Sequence, residues 1–310
     1  MSNLQLSVCI ITYNQEKYLP QALDSILNQE HNYSYEIIVG EDCSTDNTRK
    51  VLEDYATKYP DIIKPIYNNH NLGLLKNYYN VLSHCNGKYI MECAGDDYWL
   101  PGKVQKQISF MEQNNYVGLC YGKKIDYIQN CNKKIKTSCK GFTEYSDLIQ
   151  YNSIPAASVC IRNELLKKYI NEVRPLDKDW KMEDYPMWLW FSMNSKIVYM
   201  DNRFIVYRVL ENSISHQIDI EKQLSYQKSV INIRNYYLEK NKQPILPIDE
   251  IKLKFDILIN ECLFNYNKSN YQKLMEINSR IKHHSLKEKL KLQIVKFSFL
   301  RCLYKIYAKK

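Results

Sequence analysis

LSVCIITYN, residues 6–14, holds no charge and is rich in β-branched and apolar residues until it ends in Thr-Tyr-Asn. A strand with one wet face would alternate; an unbroken apolar run suits a strand buried on both faces of a parallel sheet. After it, Leu19, Ala22, Leu23, Ile26 and Leu27 recur at the spacing of an amphipathic helix. YEIIVGED (35–42) is a second buried strand, and STDNTRKVLEDYATKYP opens on capping residues and runs as a helix to Pro60. IIKPIYNN (62–69) is a third strand, GLLKNYYNVLSHCNG a helix stopped by Gly87, and KYIMECA (88–94) a fourth strand. Strand and helix thus alternate three times, which predicts an α/β fold whose central, mostly parallel sheet has right-handed crossovers.

Ligands of such sheets bind beyond the carboxyl ends of the strands. Those ends are Thr12-Tyr13-Asn14, Glu41-Asp42, Asn68 to Asn71 and Asp96-Asp97, all polar. No two of the eight glycines are two residues apart, and no Gly-Lys-Ser or Gly-Lys-Thr occurs, so neither a dinucleotide fingerprint nor a P-loop is present. An aromatic ring and an amide after the first strand suit a base or ribose better than a bare pyrophosphate. Asp42 can accept hydrogen bonds from a ribose or base, or can serve the capping sequence beside it. Lys76, on the following helix, is within reach of a diphosphate or simply solvated.

MECAGDDYWLP (91–101) ends an apolar strand on two adjacent carboxylates, Asp96 and Asp97. A plain turn would accommodate them. Neighbouring carboxylates also repel and raise each other's pKa unless a cation is present, and Mg²⁺ or Mn²⁺ takes one or two carboxylates and completes its shell with phosphate oxygens and water. The pair therefore points to a divalent ion that neutralises a departing diphosphate.

SVCIITYN, EIIVGEDCSTDNT, NLGLLKN, GKYIMECAGDDYWLPGKVQKQ and EDYPMWLW follow one another in the order and spacing of the family 2 glycosyltransferases, and the chain resembles that family over about residues 6–216. The resemblance is strongest to bacterial members that build capsules, O-antigens and other surface polysaccharides. It implies a GT-A fold and a metal-dependent inverting sugar transfer from a nucleotide diphosphate donor, a UDP-sugar, to a saccharide or lipid-linked acceptor. By position, Thr12, Tyr13 and Asn14 match the loop that lines the nucleotide, Asp42 the acid that reads uracil, and Asn71 and Lys76 the residues flanking the nucleotide and diphosphate. Asp96 matches the metal-binding Asp of the motif usually written DxD. Ala94 stands at that motif's first position, leaving Asp97 or Glu92 to compensate. Asp184 in MEDYPMW matches the general base, with Glu183 beside it, although acids are also favoured at a helix N-terminus. YRVLENSISH (207–216) matches a segment that closes over the phosphates, with Arg208 facing the diphosphate and His216 as a further metal ligand. Trp99, Trp188 and Trp190 offer faces for sugar stacking or serve the core.

The remaining pattern sets the domains. KVQKQISFMEQNN is helical, VGLCYGKKIDYIQ a strand, the stretch to about 155 irregular, and SVCIRNELLKKYI, MEDYPMWLWFSMNSK and KIVYMDNRFIVYRVL supply a strand, helices and two further strands. From Asp219 on only helical patterns occur, with 236–250 as linker. The expected division is a catalytic domain at 1–218, with a nucleotide-sugar half (1–106) and an acceptor half (107–218), and a basic helical region at 219–310. Of the net charge of +9, residues 251–310 contribute +10, from fourteen basic and four acidic residues, so the remainder is close to neutral. The stretch 286–310 has the pattern of a basic amphipathic helix, suited to an anionic membrane surface or to packing on its own domain; nucleic acid is a poorer partner for so apolar a face. No signal segment or long uncharged apolar run is present, and the ten cysteines include no CxxC, which together imply a cytoplasmic protein, peripheral on the inner face of the membrane if the tail docks there. The alternative readings are a nucleotidyltransferase, for which the TYNQEKY loop lacks glycines and basic density, and a catalytically inactive carbohydrate-binding scaffold.

Overall fold

The computed structural model describes residues 4–210, 219–281 and 283–308. It divides into two compact units, 1–210 and 211–310. The first begins with β1 (Leu6–Thr12), α1 (Leu19–Leu27), β2 (Tyr35–Glu41), α2 (Thr48–Lys58), β3 (Ile63–Tyr67), α3 (Leu74–His84) and β4 (Tyr89–Ala94). β1 pairs in parallel with β2 and β4, and β2 with β3, as crossovers through helices require.

The second half of this unit contains β5 (Tyr98–Trp99), α4 (Lys103–Gln113), β6 (Val117–Ile128), β7 (Lys133–Lys136), α5 (Tyr145–Leu148), β8 (Cys160–Arg162), α6 (Asn163–Val173), α7 (Asp184–Asn194) and β9 (Lys196–Val209). Among the described residues nine strands form one sheet in the order β3-β2-β1-β4-β8-β6-β9-β5, with β7 paired to β6. β8 is antiparallel to both β4 and β6, and β9 runs parallel to β6, so most paired residues are in parallel pairings. Where two strands were expected over 196–210 there is one of fourteen residues. Its register against β6 shifts between Tyr121 and Lys124, so local irregularity absorbs the polar Asp201-Asn202 without breaking the pairing.

α7 is apolar on every side, with Tyr185 through Phe191 all buried, as expected of a core helix. Trp99, Trp188 and Trp190 are each at most 2% exposed. They fill the core and offer no face to a sugar.

The second unit comprises α8 (Ile220–Lys240), α9 (Glu250–Phe264), α10 (Lys268–Ser279), α11 (Leu286–Lys296) and α12 (Ser298–Ala308). The linker is shorter than expected, because Tyr237 is buried and carries α8 through to Lys240. Phe255, Leu258, Ile259, Cys262 and Leu263 of α9 form the core with Leu274 and Val295. The basic segment is two helices and not one: Phe297 is extended (φ −117°, ψ 124°). Arg301 donates to the Val295 carbonyl, which the break would otherwise leave without a helical partner.

One buried group in the first unit makes its stability depend on pH. Glu92 of β4 is 6% exposed and accepts a hydrogen bond from the Tyr78 hydroxyl. Burial pushes its pKa up to about 8. An unfolded glutamate releases its proton near 4.5, so between these values the native state holds the extra proton and stability falls as pH rises. Glu92→Gln keeps an acceptor for Tyr78 and cannot ionise. Thermal unfolding between about pH 5 and about pH 8 should show a shallower loss of melting temperature in the variant than in the parent; equal slopes would refute the assignment.

Candidate functional site

β1, β2 and β4 end at one level because Ile11 stands opposite Gly40 on one side and Ala94 on the other. The pairing continues beyond the strands: the Asp42 amide donates to the Thr12 carbonyl (3.0 Å) and the Gly95 amide to the Ile11 carbonyl (3.1 Å). A Cβ on Gly95 would lie 2.4 Å from Gln15 Oε1 and 2.7 Å from Thr12 Oγ1. Only glycine lets the acidic turn close onto the first loop.

That loop is fastened to the one after β2. Asn14 adopts the left-handed region (φ 53°), which asparagine tolerates better than most residues. Its backbone N–H donates to Ser44 Oγ (3.0 Å), its Oδ1 accepts from the Thr45 amide (2.8 Å), and the Gln15 amide donates to Thr48 Oγ1 (2.7 Å). Thr12 is buried, while Tyr13 is 44% exposed beside it.

Asp42 is buried, and its carboxylate accepts from the Leu72 amide (2.8 Å), Asn68 Nδ2 (2.9 Å) and the Gly73 amide (2.9 Å). Three of its roughly four acceptor positions thereby hold the loop leading into α3. Asn71 closes the same loop, donating to the Asp42 carbonyl (3.2 Å) and accepting from the Gly73 amide (3.0 Å). Lys76, in the first turn of α3, is exposed.

The two adjacent aspartates have different surroundings. Asp97 is 4% exposed, and its Oδ1 accepts from the Arg208 backbone N–H (2.8 Å). Burial, then the charge of Asp96, drive its pKa well up. Asp96 is partly exposed; burial raises its pKa too, while the nearby Arg208 charge and a hydrogen bond from the Gln15 side chain pull it down. The Arg208 guanidinium is buried. Nε donates to the Asp96 carbonyl (2.8 Å), and the terminal nitrogens donate to Gln129 and Gln21. The rings of Tyr18, Tyr127 and Tyr98 surround it at 4.7, 5.2 and 5.7 Å.

Asp184 opens α7. Its carboxylate accepts from the Tyr185 amide (2.6 Å) and Asn152 Nδ2 (3.2 Å). Burial raises its pKa, and these bonds, with a weaker contribution from the Trp188 indole N–H that falls short of hydrogen-bond geometry, oppose the rise. Glu183 is pushed up to about 8 by burial and then by the Asp184 charge. The Asp184 charge also acts on Glu92 at the base of the acidic turn, so α7 and β4 bring three carboxylates into one electrostatic cluster. Buried Lys103, held by Gln107 Oε1 (2.7 Å) and the Val159 carbonyl (2.9 Å), offsets part of that charge.

Nine of the residues singled out in the sequence thus gather at one end of the sheet: Thr12, Tyr13, Asn14, Asp42, Asn71, Lys76, Asp96, Asp97 and Arg208. Asp184 joins them through Glu92. His216 lies outside the described residues. Gln15, Gln21, Gln129 and Asn152 escaped the sequence reading, since single amides leave no periodic or motif signal.

A profile of glycosyl transferase family 2 matches residues 7–168. An uncharacterised protein of Mycobacterium tuberculosis is 37% identical over 117 residues, 37% of this chain and 34% of that one, so the chain spans about a third of the length of the curated relatives it matches first. The putative teichuronic acid biosynthesis glycosyltransferase TuaG of Bacillus subtilis is 33% identical over 117 residues, covering 37% of this chain and 46% of TuaG. Among solved structures, S. aureus TarS 1-349 in complex with UDP-GlcNAc superposes with a TM-score of 0.62 at 17% identity, over 88% of this chain and 79% of that one, which supports the GT-A fold. With half of its length matched by the family profile, the chain belongs to glycosyl transferase family 2.

Proposed function

We propose that the protein transfers a sugar with inversion from a nucleotide diphosphate donor, a UDP-sugar, to a saccharide or lipid-linked acceptor, in the assembly of a bacterial surface polysaccharide. The observation that carries this reading is the convergence of the Asp42 loop, the Asp96 turn and the half-buried Asp184 at one end of the sheet. The name of TuaG and the UDP-GlcNAc held by TarS support it.

In this reading Thr12, Tyr13 and Asn14 line the nucleotide. Asp42 meets the base with the acceptor position that its loop leaves over, and Asn71 and Lys76 flank the diphosphate. The donor set of the acidic turn fits a hard divalent ion: the Asp96 carboxylate is partly desolvated, and the neighbouring guanidinium meets Asp96 through its carbonyl. Asp96 would hold Mn²⁺ or Mg²⁺, which when bound would supply Lewis-acid stabilisation of the leaving diphosphate. Asp97 and Arg208 act one layer behind, fixing the turn that presents Asp96. Asp184 takes the proton of the acceptor hydroxyl. Asn152 and the Tyr185 amide favour its charged form, whereas Glu183, held up near 8, keeps its proton at neutral pH.

The tail supports a membrane partner. α11 and α12 turn Val295 and, in part, Leu292, Ile294 and Tyr304 toward α9, but Leu286, Leu290, Phe297, Phe299 and Leu303 stay exposed among Lys287, Lys289 and Lys296. No helix among the described residues is long and apolar enough to cross a membrane. In the proposed arrangement these two helices lie on an anionic bilayer surface and keep the protein near a lipid-linked acceptor.

Asp184→Asn should lower kcat for transfer about 10³-fold with UDP affinity little changed; a variant of near-parental kcat would remove Asp184 from the role. Because burial raises Asp184, activity should fall on acidification at a higher pH than an ordinary aspartate would give, and Asn152→Ala, which removes a bond to the carboxylate, should move that limb upward. For the tail, Leu290→Glu with Phe299→Glu should weaken sedimentation with anionic vesicles about tenfold or more. Unchanged sedimentation would exclude the surface.

A further inference from the structure

The β6–β7 hairpin and the segment after it concentrate positive charge from Tyr98, next to the acidic turn, to the cleft lined by Asn152, which bonds Asp184. Residues 123–140 hold six lysines and one acid. Lys123 pairs with Asp201 and Lys124 with Asp126, but Lys133, Lys134, Lys136 and Lys140 are exposed and have no carboxylate partner among the described residues. Lys134 stands opposite Tyr127 in the hairpin, its ammonium 5.7 Å from that ring and 5.6 Å from the ring of Tyr98, the residue after Asp97. Lys136 shares its face of β7.

From Lys136 the chain runs into a cleft of about 300 Å³ whose walls include Lys140, Phe142, Tyr151, Asn152 and Ser153. Gly141 (φ +68°) brings the chain against Tyr199, where a Cβ would lie 2.7 Å from the ring, and the Phe142 carbonyl is held by the Tyr121 hydroxyl (2.7 Å). The Phe142 and Tyr151 rings stand 6.1 Å apart at 35°, with the Lys140 ammonium over both. The Ser153 hydroxyl is buried with no hydrogen-bond partner among the described residues. Asn152 is the residue that donates to Asp184, so the cleft opens at the proposed base.

We infer that this cleft and hairpin take an acidic saccharide, a chain bearing carboxylate or phosphate groups, as the acceptor. The inference rests on the transferase reading and specifies its substrate class. Sugar C–H faces lie on Phe142 and Tyr151, Ser153 hydrogen-bonds a hydroxyl, and Lys140, Lys136 and Lys134 follow the charges along the chain toward the acidic turn. Aromatic faces beside fixed polar groups are suited to sugars, while flexible ammonium groups are point charges suited to either anion. A nucleic acid fits worse, since the cleft is small and ends at carboxylates. A bilayer fits worse too, because the hairpin exposes little apolar surface besides Ile135.

The test uses the full chain and fluorescent oligosaccharides of matched length: a polyuronate, a phosphodiester-linked glycan and a neutral dextran. Binding to at least one acidic glycan should exceed binding to dextran tenfold or more and weaken with salt. Replacing Lys134, Lys136 and Lys140 together by Ala should remove most of that preference without changing UDP affinity or melting temperature, and Tyr151→Ala should weaken glycan binding at every salt concentration. Whichever acidic glycan binds tighter identifies the anion. Equal binding of acidic and neutral glycans, an unaffected triple variant, or equally tight binding of oligo-dT or anionic vesicles at the same lysines would overturn the inference. Glycan binding is read without turnover, so a failure to bind or consume any UDP-sugar would count against the transferase reading separately.

Discussion

Arg208 is the cation around which the first unit is organised. Its side chain and backbone reach residues that lie far apart in sequence: Gln21 on α1, Asp96 and Asp97 after β4, and Gln129 after β6. A guanidinium taken out of water costs several kcal/mol unless its N–H groups find acceptors, and here the acceptors are the Asp96 carbonyl and the side-chain amides of Gln129 and Gln21. The position of the Asp96 turn is therefore set by β9, the last strand of the unit, although the turn itself follows the fourth. Three tyrosine rings around the guanidinium exclude water and strengthen every one of these bonds.

With the turn fixed, the electrostatics of the site follow from how each carboxylate is compensated. Asp97 has a backbone donor, Glu92 a phenol, and Asp184 an amide side chain and its own helix's first N–H groups. Glu183 sits one residue before Asp184 and lacks the Asn152 bond. Burial raises both neighbouring acids, and only Asp184 has the Asn152 bond that opposes the rise. Asn152 contributes both to this opposing bond and to the wall of the basic cleft, so the ionisation of Asp184 and the shape of the space beside it share a residue.

The parallel half of the fold was readable because its signals are local. Continuous apolar runs at 6–14, 35–42 and 88–94, each followed by a helix pattern, admit few arrangements, and the strands formed close to those limits. What failed had non-local causes. β9 is one strand because it pairs with β6 on both sides of its polar middle, which a window on Asp201 and Asn202 does not reveal. The single helical stripe over 286–310 is two helices with Phe297 extended between them, and Val295 and Tyr304 pack against the core of α9. Trp99, Trp188 and Trp190 stood open between sugar stacking and core, and their burial assigns all three to the core. Arg208 was singled out for its charge, yet its environment is assembled from three distant segments.

The same reasoning bears on Ala94. The sequence leaves Glu92 and Asp97 to replace the acid absent there. Glu92, two residues earlier on β4, shares the face of the strand with Ala94, but it is buried against Tyr78 and retains its proton to about 8. Asp97 is bound to the Arg208 backbone. Each carboxyl that stood ready to compensate is already satisfied by the fold, so the turn presents a single available carboxylate, Asp96. A hard divalent ion needs no more than one or two, provided that phosphate oxygens and water complete its shell. Charge that a second acid would have supplied at the turn is absent, while the ammonium group of Lys76 stays exposed in the first turn of α3. The loss of one acid from the motif thus shifts the local balance toward positive charge at the end of the sheet where a diphosphate is proposed to sit.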